Sequence, residues 1–114
     1  NGKQPVYISM PDRAVFAFAG IWAQWAPPEG GAINSCSIIT TAANDTIRSI
    51  HNRIPVIFAQ DQQYRAWLEQ NDTLGLKKIL QPYAGAMTAY PVSNAVNNVK
   101  YDSPQLIERA GANI

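Results

Sequence analysis

The chain has one cysteine, one histidine and almost no charge imbalance, and each shortage removes a class of function. Cys36 alone cannot form an internal disulfide or a cysteine-based metal cluster, which fits a reducing compartment and leads us to expect the cytoplasm. Nine basic against eight acidic residues leave a formal net charge of +1. That balance gives no broad electrostatic footprint for nucleic acid, so any such contact must be local. No apolar run approaches the roughly 20 residues of a membrane span. The opening residues, Asn1-Gly2-Lys3-Gln4-Pro5, lack the apolar core of a signal peptide. Phosphate-binding glycine loops, zinc-ligand spacings and nucleophile elbows are absent, and the acids are scattered instead of paired. No repeat, low-complexity tract or linker interrupts the chain, and no metal or cofactor is expected. The chain does not begin with Met, which leads us to expect further sequence upstream.

What is present is ordinary globular composition: 114 residues, 46% hydrophobic and 15% charged. That suits one domain, 1–114, with a modest core. Val6 and Ile8 alternate with Tyr7 and Ser9, which predicts a strand over Pro5–Ser9. Pro11-Asp12-Arg13 then turns the chain. The continuous apolar run Ala14–Trp22 predicts a buried strand, with a bulge at Gly20. Trp22 and Trp25 are assigned to core packing, ahead of the alternative that they stack on bases. A Pro-Gly loop, 27–31, follows.

Cys36–Thr41 is β-branched and predicts a strand, in which Cys36 serves as a small buried hydrophobe. Ala43–Ile50 predicts a helix capped by Thr41 or Asn44, with Ile47 and Ile50 on its buried face. Arg53–Phe58 predicts a strand with an edge or bulge at Pro55. Gln60–Gln70 is an amphipathic helix whose apolar stripe is Tyr64, Trp67 and Leu68. A shorter helical piece covers Thr73–Leu80. A last strand covers Met87–Val92, and turns or helical turns follow at Ser93–Val99 and Gln105–Ala110. The tail from Gly111 is expected to be loose. Short strands and short helices in this mixture indicate an α+β domain.

The stretch Ser35–Phe58 carries the chemistry worth weighing. His51 falls at a helix–strand junction, where an imidazole can act as general acid or base or simply be a structural histidine. Spacing alone favours the structural use. Arg53, two residues on, can grip a phosphate or make a surface ion pair. Thr40 and Thr41 can offer hydroxyls to an anion or cap the helix.

Read together, four pieces resemble the SRAP family, the SOS-response-associated peptidase domain that shields abasic sites in single-stranded DNA. They are Phe16–Trp22, Ser35–Thr41 with Ala43-Asn44, Ile50–Ile57, and Ala89–Ser93 with Val96-Asn97-Asn98. Each is weak alone; in this order and spacing they are specific. The resemblance implies a mixed α+β fold with a curved, largely antiparallel sheet or barrel and short peripheral helices. It covers the C-terminal half of such a domain.

Family members bind an abasic sugar covalently through an N-terminal cysteine, forming a thiazolidine, and have autoproteolytic activity. That cysteine belongs to the other half, and Cys36 matches a strand position instead. The resemblance makes His51 the acid/base of sugar opening and crosslinking, and places Arg53 and Thr40 on the DNA. Where the family carries a glutamate after the Gly-Ile-Trp run, this chain has Ala23; Gln24 would face the opposite side of the strand. The implied partners are single-stranded DNA bearing an abasic site and the N-terminal half of the domain, in the same or a separate chain, with no membrane. Two rivals remain: a non-catalytic module that binds single-stranded DNA, and an inactive fragment that self-associates through its apolar strand edges.

Overall fold

A computed structural model describes residues 3–114 of the chain. In chain order its strands are β1 (Val6–Ser9), β2 (Ala17–Phe18), β3 (Gly20–Trp25), β4 (Ile33–Ile38), β5 (Thr40–Ala42), β6 (Arg53–Pro55), β7 (Ile57–Phe58) and β8 (Thr88–Pro91). The helices are α1 (Asp61–Glu69) and α2 (Thr73–Lys78). The fold is α+β and its strand pairs are antiparallel. Pairing runs in four two-stranded ladders, and no barrel closes among the described residues. Two compact units result, one from Val15–Ala84 and one from the residues before and after it.

The Val15–Ala84 unit is built where three chain segments exchange partners. β2 pairs with β7, β3 with β4, and β5 with β6. Each predicted long strand is therefore broken once, at Ala19, Ile39 and Val56, where the partner changes. These three residues close a ring of backbone hydrogen bonds. The Ala19 N–H donates to the Val56 carbonyl at 2.9 Å, Val56 to Ile39 at 2.8 Å, and Ile39 to Ala19 at 2.9 Å. The ring satisfies amides that would otherwise be buried without partners, since Ala19 and Val56 are fully buried. The core forms around it: Ala19, Val56 and Phe58, with Ile39, Tyr64, Trp67, Ile79 and Leu80 packed against them.

Helix α1 lays Tyr64 and Trp67 on that core, and the Trp67 indole N–H donates to the Gly20 carbonyl at 3.0 Å. Gln63 fixes the helix start by accepting from the Ala59 and Gln60 backbone N–H groups. Leu68, predicted in the same stripe, is instead 81% exposed. One helix face meets the core over only two positions, so the stripe is narrower than its periodicity. Helix α2 starts at Asp72, whose carboxylate accepts from the Leu74 N–H.

The β3–β4 ribbon corrects two expectations. Trp22 is 75% and Trp25 57% exposed, and Cys36 is exposed as well. A two-stranded ladder buries a residue only if something covers its face, and every residue of β4 is exposed. The turn leaving β3 uses Gly30 and Gly31 at φ of 99° and 82°, conformations costly for other residues. The predicted helix over Ala43–Ile50 is also absent: residues 45–50 form consecutive turns. Isolated helices this short nucleate poorly, and the Asn44 side chain captures the Ile47 N–H.

In the other unit, β1 pairs with β8 in the register Tyr7↔Tyr90 and Ile8↔Ala89. The two tyrosine rings lie 5.4 Å apart and the Ser9 and Thr88 hydroxyls share a 2.8 Å hydrogen bond. Pro91 fits because β8 has β1 as its one ladder neighbour, so a proline on the edge away from β1 forfeits no ladder hydrogen bond. The C-terminal tail, expected loose, is tied back: Ala110 N–H donates to Pro91 and Ile114 N–H to Ala89. Gly111 lies so close to Pro91 that an added Cβ would stand 2.8 Å from its ring.

Candidate functional site

The β5–β6 ladder and the turn before it bring together His51, Arg53 and Thr40. Its register is Thr40↔Pro55, Thr41↔Ile54 and Ala42↔Arg53. Ile54 is buried, so alternation sends Arg53 and Pro55 to the opposite, open face. Arg53 is then diagonal to Thr40, within reach of a long side chain. Its Nη2 donates to the Thr40 carbonyl at 2.7 Å and to the Thr40 hydroxyl at 2.9 Å. Two hydrogen bonds on one nitrogen hold the guanidinium while its other N–H groups stay available. The ion pair formed nearby, Arg48 with Asp45 at 3.4 Å, is exposed and contributes little.

His51 enters at the end of the turn, where its N–H donates to the Ile47 carbonyl at 2.9 Å. Ile47 is buried and anchors the turn from below. The exposed imidazole folds back onto the next strand. The Arg53 backbone N–H donates to His51 Nδ1 at 3.0 Å, and the Arg53 carbonyl lies 3.1 Å from the same nitrogen. Nδ1 therefore has a partner in either state: it accepts from the N–H when bare and donates to the carbonyl when protonated. Nε2 is the nitrogen left to exchange a proton with a substrate.

Asn44 was read in the sequence only as a cap, yet it positions the whole turn. Its Nδ2 donates to the Tyr83 carbonyl at 2.9 Å while its Oδ1 accepts from the Ile47 N–H at 3.1 Å. A side-chain amide does both from two separate atoms, and the asparagine beside the strand end was the available signal. Asn44→Ala is expected to cost about 1–3 kcal/mol, from two lost hydrogen bonds at a partly buried site. A thermal unfolding shift near zero would show that the two bonds carry no net stability.

Ala23 stands apart. It pairs with Ser35 on the β3–β4 ladder, not on β5–β6. It lines a shallow depression of about 100 Å³ with Trp22, Ser35 and Cys36. Its methyl group cannot move a proton. Among the described residues no group of three His, Cys, Asp or Glu side chains could hold a metal, and no helix is long and apolar enough to cross a membrane.

Residues 1–99 match the SOS response associated peptidase (SRAP) family. This chain belongs to the SRAP family. Among curated relatives, the SRAP chain is 43% identical over 109 residues to the abasic site processing protein YoqW of Bacillus subtilis, covering 93% of this chain and 48% of that protein. It is 30% identical over 123 residues to the abasic site processing protein HMCES of Xenopus tropicalis, covering 90% and 36%. A crystal structure of a protein from Bacteroides thetaiotaomicron superposes with a TM-score of 0.81 at 30% identity, over 96% of this chain and 49% of that one. The SRAP chain thus spans about half the length of the Bacillus relatives and 36% of the Xenopus one.

Proposed function

We propose that this chain acts in processing abasic sites in single-stranded DNA, as the C-terminal part of one SRAP domain. His51 is the acid/base, and Arg53 with Thr40 holds the strand. One observation carries the reading: His51 Nδ1 has a backbone partner in both protonation states, beside a guanidinium held on Thr40. That arrangement suits an abasic sugar. Its ring opens to an aldehyde when the ring oxygen gains a proton and the anomeric hydroxyl loses one. An amine and a thiol then add to the aldehyde carbon and one water leaves, giving a thiazolidine. Each step moves a proton that a positioned imidazole can carry. The flanking phosphates need a cation, which Arg53 supplies.

The nucleophile comes, in this reading, from the half of the relatives' length that the chain does not span. Abasic single-stranded DNA incubated with the chain joined to that half should give a denaturant-resistant adduct on a gel. The 114 residues alone should give none. An adduct from the chain alone would refute the supplied nucleophile. Ala23 favours a second reading, a module that holds single-stranded DNA without chemistry. It predicts salt-dependent binding and no adduct even when the halves are joined.

A further inference from the structure

The unit formed by the residues flanking Val15–Ala84 holds a pocket of about 460 Å³, lined by Arg13, Tyr90, Pro104, Ile107, Glu108 and Arg109. Nothing in the reading of His51 uses it. Arg109 lies over the Tyr90 ring, 4.4 Å from its centroid, and donates to the Asn113 side chain. Tyr90 itself is buried and locked by its hydroxyl, which donates to the Ile107 carbonyl at 2.7 Å. The guanidinium is therefore held over a rigid platform, with N–H groups to spare.

Arg13 is presented differently. It ends a turn in which Asp12 and Arg13 both take left-handed φ, 59° and 54°. Such values are uncommon away from glycine and cost energy, so something in the turn must hold them. Its N–H donates to the Met10 carbonyl at 3.1 Å. Among the described residues neither arginine pairs with an acid, although Glu108 lines the same pocket. Two unneutralised guanidinium groups against one carboxylate leave the pocket with an excess positive charge.

We propose that this pocket binds a phosphate group together with its attached sugar. Arg13 and Arg109 neutralise the phosphate through charge-assisted hydrogen bonds. Pro104 and Ile107 give the sugar apolar surface. The volume falls in the range of small-ligand sites and exceeds what a bare ion needs. Given the function proposed above, on which this step rests, the natural source is the backbone of single-stranded DNA. A free nucleotide would offer the same chemistry.

The test uses the whole chain and three probes: inorganic phosphate, thymidine monophosphate and an undamaged oligothymidylate. Oligothymidylate binding is followed by fluorescence anisotropy across a salt series. Arg13→Gln and Arg109→Gln should each lower the salt slope by about 0.7, the loss of one phosphate contact to a single strand. Glu108→Gln should tighten binding, an increase that a merely structural role would not give. Mononucleotide binding as strong as oligonucleotide binding supports the site with a free nucleotide as ligand; oligonucleotide binding alone supports it as a strand contact. Binding of none of the three probes overturns the proposal, as do unchanged slopes in both arginine variants. If Arg109→Gln unfolds by circular dichroism, Arg13→Gln decides alone. Arg53→Ala separates the two readings. If it weakens binding while the pocket variants do not, only the pocket fails. If the pocket variants weaken binding and Arg53→Ala does not, the strand-holding role of Arg53 fails and the pocket stands.

Discussion

Replacing His51 with alanine is expected to slow adduct formation in the joined protein by about 10²- to 10⁴-fold, the usual contribution of a positioned acid/base. The product is covalent, so the measurement must be an initial rate and not a final yield. Binding of undamaged single-stranded DNA should hardly change. The Arg53 guanidinium is set by Thr40 and not by the imidazole. The backbone N–H that loses its Nδ1 partner is at an exposed residue, where water replaces it. The fold should therefore survive. His51→Gln sharpens the comparison, because an amide can hydrogen-bond but cannot shuttle a proton at neutral pH. Wild-type rates in both variants would remove His51 from the chemistry. A matched loss of binding and rate would instead make it a contact residue.

Phe58→Ala should be the most damaging substitution in the core, costing about 3–5 kcal/mol. Phe58 is 2% exposed and belongs to the buried cluster with Ala19 and Val56. Its ring meets Trp67 at 5.8 Å with the planes tilted 55°. Removing it takes away that aromatic pair and the surface on which α1 rests. One side of the site is an open apolar groove of about 350 Å³, lined by Phe16, Phe18, Tyr64 and Leu68 among others. The void can relax toward that groove, which argues for the lower end of the range. Total stability of a small domain is only about 5–15 kcal/mol, so even that end is a large share. Urea unfolding should show the midpoint falling by about 1 M or more. A loss under about 1 kcal/mol would mean that Phe58 is not central to this core.

Most elements could be read from the chain because their signals are local. The Tyr64–Trp67 spacing marks α1, and the helical turn expected over Gln105–Ala110 overlaps the one found at Pro104–Ile107. The strand breaks were only partly readable. A bulge is expected at Gly20 and an edge or bulge at Pro55, each one residue from a break, but nothing in residues 36–41 reports that the pairing partner changes at Ile39. Burial failed for a related reason: Trp22 and Cys36 have core-like character, but exposure depends on what covers the ribbon. Within the site, the two-residue spacing puts His51 near Arg53 but does not reveal that backbone, not side chain, grips the imidazole. Thr40 lies thirteen residues from Arg53. Only ladder register brings it there; in the sequence Thr40 and Thr41 were equal candidates, and the family resemblance singled out Thr40.

The ring joining Ala19, Ile39 and Val56 also bears on the order in which the chain can fold. Successive members are separated by short stretches, one holding the β3–β4 hairpin and one holding the turn before His51. Closing such loops costs entropy that grows only slowly with length, and short ones form quickly. A hairpin at β3–β4 brings Ala19 and Ile39 together, and the turn at residues 45–50 delivers Val56 to both. The His51 turn is thus one of two closures that create the core, so lengthening it would retard folding as well as displace the imidazole.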